Sequence, residues 1–482
     1  MTGGESMAAT EKGGMSVCFS DTPLAWMNMS SAPRELYLSE LIGALSYALD
    51  LTEGLPLGHC LRACWLGMKI GYRLDLSERE LSDLYYTILL KDAGCSSNAA
   101  RLFELYANDD REIKQNYATL ESHSFTRVAR FVLANLAPDA SLREKIGRFI
   151  NLALNGEKLQ TELVQGRCER GSEIARQMGF SEVVAEGIAC LDEHWNGKGR
   201  PSRVSGTAIP LVSRIALLAQ VAEVFYSVGG AAESLRQLRD RSGTWFDPML
   251  VQAAIDLSTE PNFFGALDDP NLDRRVRSLE PSIHACLVDD TQMDEIAAAF
   301  ARVIDSKSPY TFGHSARVAR YTVAIARAMG FSHQQRRWLH RTALLHDTGK
   351  LAVSNAILDK PGKLTDQEWL KVKEHPAFSE EILKRIPIFS ELAFIAGSHH
   401  ERLDGKGYPR GLTSADIPLE ARILTAADIF DAITAERPYR KAVPVPETLA
   451  IMEKDVGIAI DAECLAALKD AINQGLDCST AV

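Results

Sequence analysis

Apolar residues recur along this chain at steps of three and four, the spacing that places side chains on one face of an α-helix. One such series is Val318, Thr322, Ile325 and Met329. Long stretches rich in Ala, Leu, Ile and Arg follow the same period, and no segment of alternating β-branched residues stands out. The pattern therefore predicts an all-α protein.

The helical pattern occurs twice. Four stretches pair off in the same order, GHCLRAC (58–64) with GHSARVA (313–319) and LLKDAG (89–94) with LLHDTG (344–349). His59 and Asp92 of the first copy lie the same number of residues apart as His314 and Asp347 of the second. Each copy also carries a Ser followed three residues later by Glu or Gln, which is the signature of a capping box. A match of this length predicts two homologous domains.

The two copies differ in length because the first copy contains an insertion. It lies in the first copy near residues 105–155, after which 167–225 aligns with 375–433. A stretch rich in Pro, Asp and Asn joins the copies and is typical of a linker. We predict five segments, which are a loose tail over 1–33, a first domain over 34–258, a linker over 259–293, a second domain over 294–475 and a short tail over 476–482.

Composition narrows the class of protein. The chain has 46% apolar and 24% charged residues and a formal net charge of −11, so no basic surface is predicted to bind DNA. No uninterrupted apolar stretch approaches the roughly 18 residues of a membrane helix. The cysteines include no Cys-x-x-Cys pair, which favours a reducing compartment. We expect a cytoplasmic protein that binds neither DNA nor a membrane.

Histidines and acidic residues concentrate in the second copy, mostly at the ends of apolar helical runs. The candidate metal ligands are His314, His346, Asp347, His375, His399, His400 and Asp428. Buried imidazoles and carboxylates need partners, and a metal ion satisfies several of them together. The set is too large for one tetrahedral zinc and suits two divalent ions such as Fe or Mn, with one carboxylate bridging them. Asp347 is well placed to be that bridge.

Three motifs of the second copy resemble the HD-GYP family of the HD phosphohydrolase superfamily over about residues 295–470. They read HDTGK, HHERLDGKGYP and AADIFDAITAERPYR. The resemblance implies two tandem HD-type helical bundles and a metal-dependent phosphodiesterase acting on a cyclic dinucleotide. Cyclic di-GMP is the main substrate that it implies, with 3′3′-cyclic GMP-AMP as the alternative. In this family a hydroxide that bridges two metals attacks the phosphorus.

Site residues carry over from the same resemblance. The seven candidate ligands take the family's metal positions, and Asp347 and Lys350 take its catalytic positions. The substrate-binding positions fall on Lys350, Tyr408, Arg437 and Arg440. Some family members bind a third metal through a Glu four residues before the first histidine, where this chain has Tyr310. We therefore expect two metals and a linear dinucleotide as product.

The first copy has lost most of these residues. It keeps His59 and Asp92 but carries Lys91, Arg167, Leu191, Asp192 and Gln220 at the other ligand positions, with Cys95 in place of Lys350 and Arg200 in place of Tyr408. A binuclear site is therefore not expected there. Two interpretations remain, a scaffold for the second domain or a regulator in which Lys91 and Arg167 hold an anion.

Two further alternatives stay open. A non-catalytic cyclic-dinucleotide receptor or adaptor would be a different class of protein, although it has little need for a complete ligand set. The sequence also leaves open a homodimer and a signalling-protein partner that docks on the Gly407-Tyr408-Pro409 loop.

Overall fold

The computed structural model describes residues 36–106, 108–118, 132, 134–136, 142–281, 287–436 and 441–478. Over these residues the chain is helical, with isolated β-bridges and no β-strand. The prediction of an all-α fold is confirmed.

The first repeat is built from nine helices in the described part of the chain. They are Leu38–Glu53, His59–Arg73, Glu78–Leu90, Ala99–Tyr106, Asp110–Ala118, Leu142–Gln177, Glu182–Ala189, Leu211–Asp240 and Pro248–Leu257. Short 3₁₀ turns at Cys95–Asn98 and Gly206–Ala208 complete it. The insertion relative to the second repeat contributes the helix Asp110–Ala118 and the beginning of the long helix Leu142–Gln177.

The second repeat follows the same order. Its described helices are Asp290–Asp305, His314–Ala328, His333–Leu345, Asn355–Leu358, Asp366–Lys373, His375–Lys384, Ser390–Ala396, Leu419–Thr434, Val445–Glu453 and Ala462–Asn473. The 3₁₀ turns are Thr348–Ala352 and Pro387–Phe389. The turn Thr348–Ala352 occupies the place of Cys95–Asn98 in the first repeat.

Local sequence explains why corresponding helices begin at corresponding residues. The hydroxyls of Ser77 and Ser332 each accept a hydrogen bond from the backbone three residues later, and both predicted capping boxes are present. Gly58 and Gly313 adopt φ values of 85° and 67° immediately before the helices that start with a histidine. This left-handed backbone favours glycine, and it fixes where His59 and His314 enter the core.

The described residues of the segment predicted to be a linker are largely helical. They include the helices Pro261–Phe264 and Leu272–Arg277, whose apolar side chains Phe263 and Val276 are buried. The indole of Trp65 donates a hydrogen bond of 3.0 Å to the carbonyl of Phe263. The Pro, Asp and Asn content indicated a loop, but the interspersed apolar residues pack against the first repeat and override that local preference.

The two repeats pack against each other in a reciprocal way. The first helix of the first repeat, Leu38–Glu53, contacts the turn Thr348–Ala352 of the second. The first helix of the second repeat, Asp290–Asp305, contacts the turn Cys95–Asn98 and the long helix Leu142–Gln177 of the first. One apolar cluster continues through both repeats. The first helix of each repeat therefore packs against the corresponding 3₁₀ turn of the other.

One helix, Leu211–Asp240, is long and apolar enough to cross a membrane by length and composition alone. It is interrupted by non-helical Gly229 and Gly230, and 56% of its most apolar window is buried among other helices. The core helix of a globular protein has the same properties, so this helix is weak evidence for a membrane span.

Candidate metal centre and active site

The structure brings all seven candidate ligands of the second repeat to one place. They come from five helices or helix ends and form overlapping groups whose ligand atoms lie within 4.8 Å of one another. These groups are His314–His346–Asp347, His346–His399–Asp428 and His375–His399–His400. Six of the seven side chains are buried, and only His400 is partly exposed. Such a concentration of buried ligand atoms is typical of a metal centre.

Asp347 lies between the histidine groups. One of its carboxylate oxygens, Oδ2, is 3.3 Å from Nε2 of His314 and 3.4 Å from Nε2 of His346. The other oxygen, Oδ1, is 3.3 Å from Nε2 of His375 and 3.8 Å from Nε2 of His399. One carboxylate therefore faces both groups, which is the geometry expected of the bridging residue.

Hydrogen bonds orient the imidazoles. Nδ1 of His346, His375 and His399 donates to the carbonyls of Ala343, Val372 and Ala396, at 2.7, 2.6 and 2.5 Å. Each acceptor lies three residues before its histidine, so the helix end itself sets the ring orientation. With Nδ1 engaged, Nε2 is left as the free ligand atom.

Several polar atoms at the centre have no hydrogen-bond partner within the described residues. They are Nε2 of His314, Nε2 of His346 and Oδ1 of Asp347, all buried. A buried polar atom without a partner is costly, and all three atoms can ligate a metal. The donor set of five imidazoles and two carboxylates therefore fits divalent cations.

The electrostatics of the site agree with that fit. Burial lowers the pKa of His399 well below its ordinary value, and it lowers the pKa of His400 to about 3. Neutral imidazole is the form that binds a metal. Burial alone would raise the pKa of Asp347, but His346 and Lys350 lower it well below the ordinary value. His399 and His400 are thus held neutral and the Asp347 carboxylate charged. Burial would also lower the pKa of His314, but its hydrogen bonds to Asp347, Asp428 and Asp431 raise that pKa well above the ordinary value.

Lys350 lies at the mouth of this cluster. The preceding helix ends at Leu345, and Lys350 belongs to the 3₁₀ turn Thr348–Ala352. Its ammonium contacts Asp347, and 18% of its side chain is exposed. This turn places the ammonium between the metal centre and solvent.

Tyr408 covers one flank of the centre. Its ring lies 4.8 Å from the ring of His400, at an angle of 33°. Burial raises the pKa of Tyr408, so its hydroxyl stays neutral and an aromatic face is available beside the metal centre. The predicted phosphate contacts Arg437 and Arg440 lie outside the described residues.

Sequence reasoning missed the residues that support the ligands. Asp431 accepts a hydrogen bond of 2.7 Å from Nδ1 of His314 and another of 2.6 Å from Nε of Arg317. Asp305 accepts from the backbone N–H of Ser315 at 3.1 Å and fixes the start of the same helix. The first repeat keeps these contacts with Asp50 and Glu223, and that retention was the available signal.

Comparison with known proteins identifies the family. A profile described as HD domain matches residues 135–250 and 298–464, more than half of the chain.

The chain belongs to the HD domain family.

Curated relatives add detail to this assignment. The chain is 52% identical to 3′3′-cGAMP-specific phosphodiesterase 3 of Vibrio cholerae serotype O1 over 445 residues, which are 92% of this chain and 96% of the relative. It is also 36% identical over 198 residues to the cyclic di-GMP phosphodiesterase response regulator RpfG of Xanthomonas campestris, covering 40% of this chain and 52% of the relative. With its Gly407-Tyr408-Pro409 motif, the chain is an HD-GYP member of the family.

A solved structure resembles the whole chain. The crystal structure of a cyclic GMP-AMP-specific phosphodiesterase from V. cholerae matches with 48% identity and a TM-score of 0.64. The match covers 91% of this chain and 98% of that one. The likeness therefore extends over both HD repeats.

The first HD repeat keeps the frame of a metal site and fills it with a lysine. Nζ of Lys91 lies 3.0 Å from Nε2 of His59 and contacts Oδ2 of Asp92. The equivalent atoms of His314 and Asp347 face the metal centre in the second repeat. Burial would lower the pKa of Lys91, but Asp92 raises it above the ordinary value. The Lys91 ammonium thus lies at the position that corresponds to the candidate metal centre of the second repeat.

Arg167, the second cation at a ligand position of this repeat, is also paired within the repeat. Arg167 forms an ion pair with Asp192, and these residues stand at the positions of His375 and His400. Both cations that were considered for anion binding therefore already contact carboxylates of their own repeat. The contacts favour the interpretation of the first repeat as a scaffold over that of an anion-binding regulator.

Proposed function

We propose that this chain is a phosphodiesterase that opens the ring of 3′3′-cyclic GMP-AMP to the linear dinucleotide. The HD family and the named relatives support cyclic-dinucleotide hydrolysis. The 52% identity to a 3′3′-cGAMP-specific phosphodiesterase, over 92% of this chain, carries the choice of substrate. The cyclic di-GMP relative matches only 40% of the chain. The sequence alone favoured cyclic di-GMP, and the comparisons favour its alternative.

The seven ligands would hold two divalent ions, for which we propose Fe or Mn. His314, His346 and Asp428 face one side of Asp347, and His375, His399 and His400 face the other. Imidazole and carboxylate together suit these metals. When bound, such a pair neutralises charge on a phosphoryl group and lowers the pKa of water. The chain's own contribution is to keep His399 and His400 neutral and the carboxylates of Asp347 and Asp428 ionised.

Lys350 and Tyr408 would position the substrate. The Lys350 ammonium is partly exposed and next to Asp347, so it can donate a hydrogen bond to a non-bridging phosphate oxygen. The ring of Tyr408, held against His400, offers a face on which a purine can stack. Arg437 and Arg440 remain predicted phosphate contacts.

The remaining predictions are kept as parts of the proposal. The seven cysteines among the described residues are free thiols. Free thiols are typical of a reducing compartment, so we propose a cytoplasmic location. A homodimer and a signalling partner at the Gly407-Tyr408-Pro409 loop are kept as the alternatives that the sequence left open.

Product analysis tests the function. Protein loaded with Mn or Fe is incubated separately with 3′3′-cyclic GMP-AMP and cyclic di-GMP, and the products are separated by chromatography. We expect conversion of the first to a linear dinucleotide at a kcat/KM at least tenfold above that for the second. Replacing His346 and Asp347 together by Ala should abolish turnover, whereas His333→Ala, on an exposed helix position, should not. No turnover by protein with confirmed metal would overturn the proposal.

A further inference from the structure

A second lysine lies beside the metal centre. Nζ of Lys373 is 5.5 Å from the centre of the Tyr408 ring and 6.0 Å from that of the Trp369 ring. Because the Tyr408 ring lies in turn 4.8 Å from that of His400, the ammonium is one aromatic ring away from a metal ligand. These distances fall in the range of cation–π contacts.

The local fold fixes the position of this lysine. Its helix, Asp366–Lys373, begins with a capping box in which Thr365 accepts from the backbone N–H of Glu368 at 3.3 Å. The helix ends where the next begins at His375, and the carbonyl of Val372 accepts from Nδ1 of His375. The turn that carries Lys373 is therefore the turn that orients a metal ligand.

Lys373 differs from other lysines of this repeat in its partners. Lys350, Lys360 and Lys384 each contact a carboxylate. Among the described residues, no carboxylate lies within ion-pair distance of Lys373, although the lysine is only partly exposed. A partly desolvated ammonium with only aromatic faces as partners is suited to an anionic ligand.

A cyclic dinucleotide supplies such an anion. Its ring contains two phosphodiester groups, and only one of them is cleaved at the metal centre at a time. The other keeps its negative charge and must be accommodated in a protein whose net charge is −11. Trp369, which is 45% exposed, adds an aromatic surface next to the lysine.

We propose that Lys373 is a substrate-binding residue that contacts the phosphate that is not being cleaved, between the ring faces of Trp369 and Tyr408. The inference rests on the proposed function and extends it by one residue. A charge-assisted contact to this phosphate is made in the ground state and in the transition state alike. It therefore lowers KM and has little effect on kcat.

Two substrates test this contact. 3′3′-Cyclic GMP-AMP has a second phosphate, whereas bis(p-nitrophenyl) phosphate is a diester without one. For Lys373→Ala we expect KM for the cyclic dinucleotide to rise about tenfold, with kcat within about twofold of wild type. Hydrolysis of the small diester and the metal content should be unchanged. Lys373→Arg should restore most of the affinity. Lys371→Ala, an exposed lysine of the same helix, is the matched control.

Other outcomes would overturn the assignment. An unchanged KM for the cyclic dinucleotide excludes the contact, and an equal loss on both substrates indicates a role at the metal centre or in folding. A changed ratio of cyclic GMP-AMP to cyclic di-GMP turnover in Lys373→Ala indicates a base contact instead. A wild-type protein that cleaves the small diester but neither cyclic dinucleotide refutes the proposed function itself, which is a distinguishable result.

Discussion

Asp347 lies between the two groups of histidines in the candidate site. Its two oxygens face different histidine groups, His314 with His346 and His375 with His399. Asp428 lies nearer to the first group, at 3.3 Å from Nε2 of His314 and 3.9 Å from Nε2 of His346. Because a bridging ligand must carry enough negative charge for two cations, an amide of the same shape cannot replace Asp347.

Asp347→Asn should therefore lose metal as well as activity. We expect kcat/KM to fall by at least a thousandfold and bound metal to fall below two ions per chain, as measured by elemental analysis. Asp366→Asn, at an exposed helix start, serves as the control. A variant that keeps two ions and near-normal turnover would contradict the bridging assignment.

Asp431 acts on the metal centre through His314. Its carboxylate accepts from Nδ1 of His314 and from Arg317, so it holds the imidazole in the orientation that exposes Nε2. Supporting carboxylates of this kind typically change metal affinity about 10–100-fold. Asp431→Asn should weaken metal binding by such a factor in a chelator competition, with an unchanged circular dichroism spectrum. Unaltered metal affinity would exclude the positioning role.

At the residue scale, the sequence predicted the candidate metal ligands, because the chemistry of their side chains indicates that role by itself. Five histidines and two aspartates share one possible role, so their clustering was informative. Asp431 and Arg317 were missed because an aspartate and an arginine on a helix are ordinary surface residues until the fold buries them. Both have counterparts in the first repeat, Glu223 and Arg62. A pair retained in a copy that has lost most of its ligands points to a supporting role rather than to a role in the chemistry.

At the scale of elements, the segments around Lys91-Asp92 and His346-Asp347 show what can change while a fold persists. Leu89 and Leu90 frame the first segment as Leu344 and Leu345 frame the second, and all four are buried. Lys91 then replaces a metal by an ammonium held between His59 and Asp92. The pattern of apolar residues predicted the shared helices, but it could not show that the lysine points inward, because an isolated lysine is normally exposed.

Lys91→Met tests whether the lysine ammonium takes the place of a metal ion in the first repeat. The change leaves Asp92 buried without its partner, and breaking a buried ion pair costs about 3–5 kcal/mol. We expect a lower urea midpoint for unfolding and no change in the number of metals bound. Lys158→Met, on an exposed lysine of the first repeat, should leave the midpoint in place. Gain of a third metal would contradict the assignment.

A second test at this scale concerns the junction of helices His59–Arg73 and Leu211–Asp240. Burial alone would raise the pKa of Glu223, but His59 and Arg62 lower it to about 2, from an ordinary 4.5. The folded pKa is below the unfolded one, so Glu223 stabilises the fold above pH 4.5 and that contribution is lost between about pH 4.5 and 2. Glu223→Gln should be less stable than wild type at pH 7, with the difference shrinking at pH 3. A constant difference in urea midpoint would contradict this linkage.

At the scale of the whole molecule, the first repeat reaches into the second through its insertion. Asp110 is fully buried and accepts from the backbone N–H of Asn355 at 2.9 Å, while Nζ of Lys307 lies 3.5 Å from its carboxylate. Arg111 donates to the carbonyl of Ala352 at 2.6 Å. Two of the contacted residues, Ala352 and Asn355, follow closely after Lys350 in the chain. The sequence indicated only a polar insertion, since contacts between distant segments leave no local periodicity.

Asp110 and Lys307 provide a test of how firmly the repeats are joined. Burial lowers the pKa of Lys307, against the opposing effect of Asp110, so removing Asp110 leaves a buried amine without its partner. Asp110→Ala should lower the urea midpoint by the equivalent of about 3–5 kcal/mol, whereas Glu112→Ala, exposed on the same helix, should not. The double variant Asp110→Ala/Lys307→Met removes both charges and should recover part of the loss, because the two effects are coupled. Strictly additive effects of the two changes would show that the pair does not join the repeats, and would leave the apolar cluster as their main connection.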